Sequence, residues 1–267
     1  MSSRRTITGF SNPAVKFLRS LREKKHRKRE GKFLAEGLRL LTEARASGIL
    51  PETLVMATGR APHPLLSELE GAVIAAGGDV LEMDEDILAK VTGKDNPPAV
   101  AGVFAEFDTR LSEIDCDAAP IWLVAQALRD PGNLGTMLRT GDAVGAGGLI
   151  LIDDCADPFS VEAVRASMGA IFTQRLATAR WDEFLPWLRS GAGQLVAASL
   201  RDPTDYRAAP YAAPCFLLIG NESQGLPEAY EAECDLRVTI PMKGRADSLN
   251  AAVAGAVLAY EALAKLG

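Results

Sequence analysis

The second half of the chain alternates apolar runs with helix-like segments, and this pattern constrains the fold more than any other feature of the sequence. The runs IWLVAQAL, GLILID, QLVAAS and CFLLIG begin at residues 121, 148, 194 and 215, and DLRVTIP begins at 235. Helices are predicted over 134–145, within 160–168, over 181–190 and from about 248 to 266. Such alternation is typical of a parallel sheet covered by helices on both faces. We therefore predict an α/β domain here.

The first half is predicted to form a smaller α/β domain. A helix is expected over residues 12–30, because Val15, Leu18 and Leu21 recur at helical spacing before Gly31. The segments that follow are a strand at KFLAEG, a helix at LRLLTEARAS, a strand at TLVMAT, a helix within 64–76 and the segment GDVLEMD. The stretch DILAKVTGKDNPPAVAGVFAEF then closes this half with a small helix, a turn at Asn96-Pro97-Pro98 and a final strand. We predict domains at 1–107 and 120–267, joined by a polar linker at 108–119.

Several classes of protein are disfavoured by the composition. No segment approaches the roughly 18 uninterrupted apolar residues of a membrane span. The N-terminus MSSRRTITGF is basic but lacks the apolar core of a signal peptide, so a cytoplasmic protein is expected. The cysteines are widely separated, form no CxxC pair and are accompanied by two histidines, which argues against a metal site. We expect four small buried thiols in a reducing compartment.

Charge is distributed very unevenly along the chain. Residues 1–45 hold thirteen Lys or Arg and four Asp or Glu, a balance of +9. The other 222 residues hold 16 basic and 31 acidic side chains, a balance of −15. This polarity is typical of a chain with a nucleic-acid-facing end on an acidic body, although a solvated charged helix would give the same local pattern.

Three polar or Gly-rich segments follow apolar strands in the second half, where ligands bind in open parallel sheets. They are LRDPGNLGTMLRTGDAVGAGG, IGNESQGL and IPMKGRADSLNAAVAG. The turn DPGNLG lacks the GxGxxG spacing of a dinucleotide site, and no GxxxxGK[ST] is present. Glu222 in the second segment would repel a phosphate. A nicotinamide-dependent oxidoreductase and a P-loop protein are therefore disfavoured.

Together, these segments resemble the three motifs of the SpoU (TrmH-like) family of SPOUT-class RNA methyltransferases, in the same order. The resemblance covers residues 120–267, and the first half looks like the ribosomal-protein-like RNA-binding domain that often precedes the catalytic domain. It implies a sheet with a deep trefoil knot, a homodimer, and transfer of a methyl group from S-adenosylmethionine to a ribose 2′-hydroxyl, without metal.

The resemblance also implies roles for individual residues. Arg139 matches the arginine beside the target ribose, where it would activate or position the acceptor. A guanidinium suits this place because it binds phosphate oxygens bidentately, whereas its pKa above about 12 makes it a poor base. The residues expected at the reacting groups are Arg139, Glu222, Asn250, Ser248 and Asn133. Those expected to hold the cofactor are Gly220, Ile240, Leu249, Leu200, Ile219 and Met242.

The sequence departs from the family pattern after Asn250. Ala251-Ala252 stands where family members commonly have Val-Ser, which puts one auxiliary hydroxyl in doubt. Ser248 has a plain structural alternative as the cap of the terminal helix. The substrate is expected to be ribosomal RNA. A tRNA 2′-O-methyltransferase and a non-catalytic RNA-binding or ribosome-assembly protein with the same fold stay open as alternatives.

Overall fold

The structure is a computed structural model that describes residues 4–59, 61 and 63–267. The chain forms two compact units. The first unit comprises Met1–Glu106 together with Asp157–Phe172, and the second unit comprises Phe107–Ala156 together with Thr173–Gly267. A segment from the second half of the sequence thus completes the first unit. The functional division at residues 107 and 120 stays a prediction.

The first unit is built on a mixed five-stranded sheet. Its strands are β1 (Arg4–Ile7), β2 (Lys32–Glu36), β3 (Thr53–Ala57), β4 (Asp79–Met83) and β5 (Val100–Ala105), in the order β1-β4-β3-β5-β2. Strand β5 runs antiparallel to β2 and β3, whereas β4 is parallel to both neighbours. The helices are α1 (Pro13–Ser20), α2 (Lys24–Glu30), α3 (Leu38–Ala46), α4 (Pro64–Ala75), α5 (Glu85–Thr92), α7 (Val161–Ala166) and a 3₁₀ turn at Ala170–Phe172.

The single helix expected over residues 12–30 is wrong, because the chain breaks between α1 and α2. In a continuous helix the carbonyl of Leu21 would accept from the amide of residue 25. Here it accepts from the Arg27 guanidinium at 2.8 Å, and Glu23 has extended backbone angles. Arg27 is buried and also pairs with Asp157 at 2.6 Å. Helix α2 is therefore anchored through a buried ion pair, which its run of basic residues did not reveal.

The second unit contains a seven-stranded sheet in which every pairing is parallel, as predicted. Its strands are β6 (Ile121–Gln126), β7 (Gly148–Ile152), β8 (Arg175–Ala179), β9 (Gln194–Ala198), β10 (Thr204–Asp205), β11 (Cys215–Ile219) and β12 (Leu236–Thr239), in the order β10-β12-β9-β11-β6-β7-β8. Its helices are α6 (Pro131–Ala143), α8 (Trp181–Arg189), α9 (Glu228–Ala232) and α10 (Ala251–Leu266). Strands β8 and β10 and helix α9 were not predicted.

The core of the second unit lies on the central strands. Every residue of β6 and β11 is buried, and the rings of Trp122 and Phe216 stack across these strands at 6.0 Å. The expected linker contains two short 3₁₀ helices, Leu111–Glu113 and Cys116–Ala118, with Ile114 buried between them.

The expected thiol environment is only partly confirmed. Cys215 is buried, but the other three cysteines are half-buried. Among the described residues, no cluster of His, Cys, Asp and Glu could hold a metal ion. Nor does any helix in the described ranges have the length and apolarity to cross a membrane.

Candidate functional site

A cavity of about 490 Å³ lies beyond the carboxyl ends of β9, β11 and β12 in the second unit. This is the edge of a parallel sheet at which ligands bind. The loops after these three strands form its walls, and the first turns of α10 close one side. Its apolar lining comes from Leu200, Ile219, Leu226, Val238, Ile240, Met242, Leu249 and Leu258. The cavity thus combines an apolar interior with polar loop residues.

The loop after β11 is shaped by its own internal hydrogen bonds. Asn221 Oδ1 accepts from the amide of Ser223 at 2.9 Å and from that of Gln224 at 3.2 Å. Its Nδ2 donates to the carbonyl of Ala127 at 2.8 Å, which ties this loop to the end of β6. Gly225 has a φ of +68° and donates its amide to Asn221 at 2.9 Å. The loop is therefore a closed turn attached to the neighbouring strand.

Gly220, at the start of this loop, packs closely against the backbone at the end of the loop. A Cβ at this position would lie 2.6 Å from the carbonyl carbon of Gly225 and 2.7 Å from the amide nitrogen of Leu226. Both atoms belong to backbone, which cannot move aside as a flexible side chain would. Glycine is therefore required sterically at the cavity wall.

Three side chains from the three predicted motifs form one hydrogen-bonded chain. Asn250 Nδ2 donates to Asn133 Oδ1 at 2.8 Å, and Asn133 Nδ2 donates to Glu222 Oε1 at 3.0 Å. Asn133 lies in the first turn of α6, which Asp130 caps. Asn250 caps α10, since its Oδ1 accepts from the amides of Ala252 and Val253. The expected alternative role of Ser248 as this cap is wrong.

The structure brings most of the predicted site residues together. All six predicted cofactor-binding residues line the cavity, as do Glu222 and Ser248. Asn133 is linked to the cavity by its bond to Glu222, and Asn250 is linked to it through Asn133. Arg139 is exposed on α6 and is not among the lining residues, and its side chain has no hydrogen bond or ion pair within the described ranges. Its predicted role is therefore not tested by this arrangement.

Residues 120–260 match the model of the SpoU rRNA Methylase family, which is more than half of the chain. The chain belongs to this family. Residues 12–102 match a second model, the MRM3-like substrate binding domain. The resemblance drawn from the three sequence motifs is thereby confirmed, and the cavity lies in the SpoU part of the chain.

Relatives of the SpoU family match almost the whole chain. The 23S rRNA (guanosine(2553)-2'-O)-methyltransferase RlmP of Bacillus subtilis (strain 168) is 32% identical over 95% of this chain and 97% of its own. The AdoMet-bound rRNA methyltransferase from Sinorhizobium meliloti is 39% identical, with a TM-score of 0.91 over 99% of both chains. The SpoU methyltransferase AviRb from Streptomyces viridochromogenes, in complex with AdoMet, is 29% identical, with a TM-score of 0.87 over 95% of this chain and 98% of its own.

Three charged residues of this SpoU cavity, Arg201, Glu231 and Asp247, were missed by sequence reasoning. Arg201 follows β9 and donates from Nη1 to Oε2 of Glu231, on α9, at 2.9 Å. Both line the cavity, and Glu231 is buried. The position of Arg201 at the carboxyl end of a predicted strand was an available signal. Glu231 gave none, because α9 itself was not predicted.

A separate polar cluster lies at the end of β7. Asp153 accepts from the side chains of Gln126 and Tyr230, each at 3.1 Å, and the Tyr230 ring stacks on Trp181 at 4.0 Å. Burial raises the pKa of Tyr230, and its hydrogen bond to Asp153 raises it further. Tyr230 therefore remains a protonated donor. Its hydrogen bond to Asp153 and its stacking on Trp181 join α9, which contains Tyr230, to the end of β7 and the start of α8.

Proposed function

We propose that this protein is an S-adenosylmethionine-dependent methyltransferase that acts on a ribose 2′-hydroxyl of ribosomal RNA. The observation that carries the proposal is the cavity at the ends of β9, β11 and β12, with the Asn250–Asn133–Glu222 chain beside it. The names of the relatives support it, since RlmP is an rRNA 2'-O-methyltransferase and two of the solved structures contain AdoMet.

The lining residues fit this cofactor chemically. Ile219, Ile240 and Leu249 are apolar and suit the adenosine, and the backbone of Gly220 lies at the cavity wall. Glu222 and Asp247 also line the cavity, and their negative charge suits a ligand with a sulfonium and an ammonium group. We assign cofactor binding to Gly220, Ile240, Leu249, Leu200, Ile219 and Met242. The trefoil knot stays part of the proposal.

The chemistry requires alignment more than acid catalysis. S-adenosylmethionine, when bound, supplies a methyl group already activated by its positive sulfur. The chain's task is to hold the acceptor hydroxyl in line with it, which lowers the barrier by orientation. In this proposal Asn133 and Asn250 fix the Glu222 carboxylate, and Ser248 offers a hydroxyl at the cavity. Arg139, exposed on α6, positions the target ribose by binding its phosphate.

The first unit supplies the RNA-binding surface in this proposal. Helix α2 exposes Lys24, Lys25, Lys28 and Arg29, and the match to a substrate binding domain covers it. Binding through phosphates would be strongly salt-dependent. Ribosomal RNA is preferred over tRNA because the relatives that match nearly the whole chain include rRNA enzymes. Such a substrate would place the protein in the cytoplasm.

We propose a homodimer for the assembled enzyme, which works without metal. Helix α10 supports the dimer, because Val253 and Tyr260 are exposed on it and Val257 between them is half-buried. Their spacing of four and three residues places them on one helix face. An exposed apolar face of this kind is typical of a subunit contact.

The direct test is transfer of labelled methyl from S-adenosylmethionine to RNA from cells that lack the protein. We expect label in ribosomal RNA, at one ribose mapped as 2′-O-methylated in cells that contain the protein. Glu222→Gln should reduce the transfer rate, with Arg180→Ala as an unaffected surface control. Label confined to tRNA would favour the tRNA alternative. No label, together with no cofactor binding by calorimetry, would favour the non-catalytic one.

A further inference from the structure

One positive charge faces the cavity from the end of β9. The Arg201 side chain is 52% exposed, and its Nη1 donates to Glu231 at 2.9 Å. The Glu231 side chain is only 7% exposed. The backbone amide of Arg201 donates to Ser199 Oγ at 3.0 Å. Both the backbone and the guanidinium of Arg201 are thus fixed, and the charge is held at the cavity rather than free in solvent.

The donors of Arg201 are only partly used. A guanidinium presents several N–H groups in a planar fork. Glu231 takes one at Nη1, and within the described ranges Nε and Nη2 have no acceptor. A planar edge with free donors is the geometry that binds a carboxylate through two hydrogen bonds.

The charges around the cavity make this arginine distinctive. Of the described residues that line the cavity, Glu222, Glu231 and Asp247 are acidic and Arg201 is the one base. An anionic group entering this cavity would be repelled by the three acidic side chains and attracted by Arg201. S-adenosylmethionine carries one such group, the carboxylate of its amino-acid end.

We infer that Arg201 binds the α-carboxylate of S-adenosylmethionine, and that Glu231 is a positioning residue that orients the guanidinium. This inference rests on the proposed function. Arg201 would lie between the carboxylates of Glu231 and of the cofactor and offset their mutual repulsion. The other acidic lining residues, Glu222 and Asp247, would then attract the ammonium and sulfonium groups of the cofactor. The amino-acid end of the cofactor then lies at the β9 loop.

A different ligand for Arg201 is suggested by a second cavity of about 510 Å³, which Arg201 lines together with Arg129. An RNA phosphate would suit two arginines. However, Arg129 is paired with Asp154, and the Glu231 that orients Arg201 lines the first cavity and not the second. The observations therefore favour the cofactor carboxylate, and RNA becomes an outcome of the test.

The test compares S-adenosylmethionine with its decarboxylated analogue, which lacks only the carboxylate, by calorimetry on the full-length protein. Arg201→Ala should weaken binding of S-adenosylmethionine by about tenfold to a hundredfold, as expected for loss of a charged hydrogen bond. Binding of the analogue should be unchanged or tighter, because the cavity loses a positive charge. The affinity of Arg201→Lys for S-adenosylmethionine should lie between those of the unaltered protein and Arg201→Ala, since lysine keeps the positive charge but lacks the planar pair of donors.

Further variants separate this role from folding. Arg201→Ala leaves the buried Glu231 unpaired, so the double variant Arg201→Gln/Glu231→Gln, which removes both charges, should show the same selective loss. Glu231→Gln alone should reduce the preference for S-adenosylmethionine over the analogue. Arg129→Ala is the matched control, because it removes an arginine that does not line this cavity.

The outcomes distinguish this inference from the proposed function. If the unaltered protein binds neither compound, the proposed function fails. If it binds both, and Arg201→Ala weakens both equally or neither, Arg201 does not bind the carboxylate. A loss confined to RNA affinity would overturn the inference in favour of a phosphate contact.

Discussion

Asn250 joins a structural role to a proposed functional one in a single side chain. Its Oδ1 caps α10 by accepting from the amides of Ala252 and Val253, and its Nδ2 donates to Asn133. The departure Ala251-Ala252 falls directly after it, at two buried positions that do not interrupt the cap. The resemblance pointed to Asn250 as a site residue, but the sequence did not show that the same residue begins the helix.

The two roles of Asn250 can be separated by a matched pair of substitutions. Asn250→Asp retains an oxygen that caps as well as asparagine does, but places a second oxygen against Asn133 Oδ1. We expect its free energy of unfolding in urea to stay close to that of the unaltered protein, while methyl transfer falls at least tenfold. Asn250→Ala should lose transfer and also about 1 kcal/mol of stability. Full transfer by Asn250→Asp would show that the bond to Asn133 is dispensable.

The elements that could be predicted are those whose sequence pattern is set by local burial. Strands β6 and β11 are buried throughout and therefore read as continuous apolar runs. Strand β8 was missed because RLATA has no such run, and β1 was missed because the first three of its four residues are exposed. The break between α1 and α2 depends on Arg27 reaching Leu21 and Asp157. The contact with Asp157 is 130 residues away in the sequence, so it produces no periodic pattern near Arg27.

The loop after β11 gives a prediction from two glycines with different constraints. An alanine at Gly220 would collide with the backbone of Gly225 and Leu226, whereas a Cβ at Gly225 meets nothing within 4 Å. Gly225→Ala would still cost about 1 to 2 kcal/mol, because the φ of +68° is unfavourable for alanine. We expect calorimetry to show cofactor affinity abolished in Gly220→Ala and reduced by less than tenfold in Gly225→Ala. Equal effects would mean that the collision at Gly220 is relieved by movement of the loop.

Helix α2 gives a prediction about RNA affinity. Its exposed basic residues are Lys24, Lys25, Lys28 and Arg29. Each phosphate contact contributes about 0.7 to 0.9 to the slope of log affinity against log salt. Replacing all four by alanine should weaken RNA binding at low salt and flatten that slope by about 3. The control Arg180→Ala/Arg207→Ala removes two exposed bases of the second unit, outside the matched substrate binding domain, and should leave the slope unchanged. An unchanged slope in the α2 variant would place the RNA elsewhere.

At the scale of the whole molecule, the sequence predicted two α/β parts but not the way the chain divides between them. Asp157–Phe172 lies between β7 and β8 along the chain, yet it belongs to the first unit. Phe159 contacts Phe33 at 5.1 Å between ring centroids, and Phe172 contacts Phe104 at 4.9 Å. The helix predicted within 160–168 follows the strand GLILID, as a helix of the second domain would, so periodicity carries no sign of its partner.

This division predicts that residues 1–107 will not fold stably alone. Without Asp157–Phe172, the rings of Phe33 and Phe104 lose their cover and the buried Arg27 loses its partner. Loss of one buried Phe side chain costs about 3 to 5 kcal/mol, comparable to the roughly 5 to 15 kcal/mol that stabilises a whole domain. We expect the 1–107 fragment to bind a hydrophobic dye and to unfold without a cooperative transition in urea. The same fragment fused through a flexible linker to residues 157–172 should exclude the dye and unfold cooperatively. If the 1–107 fragment alone already excludes the dye and unfolds cooperatively, Asp157–Phe172 packs on the first unit without being needed for its stability.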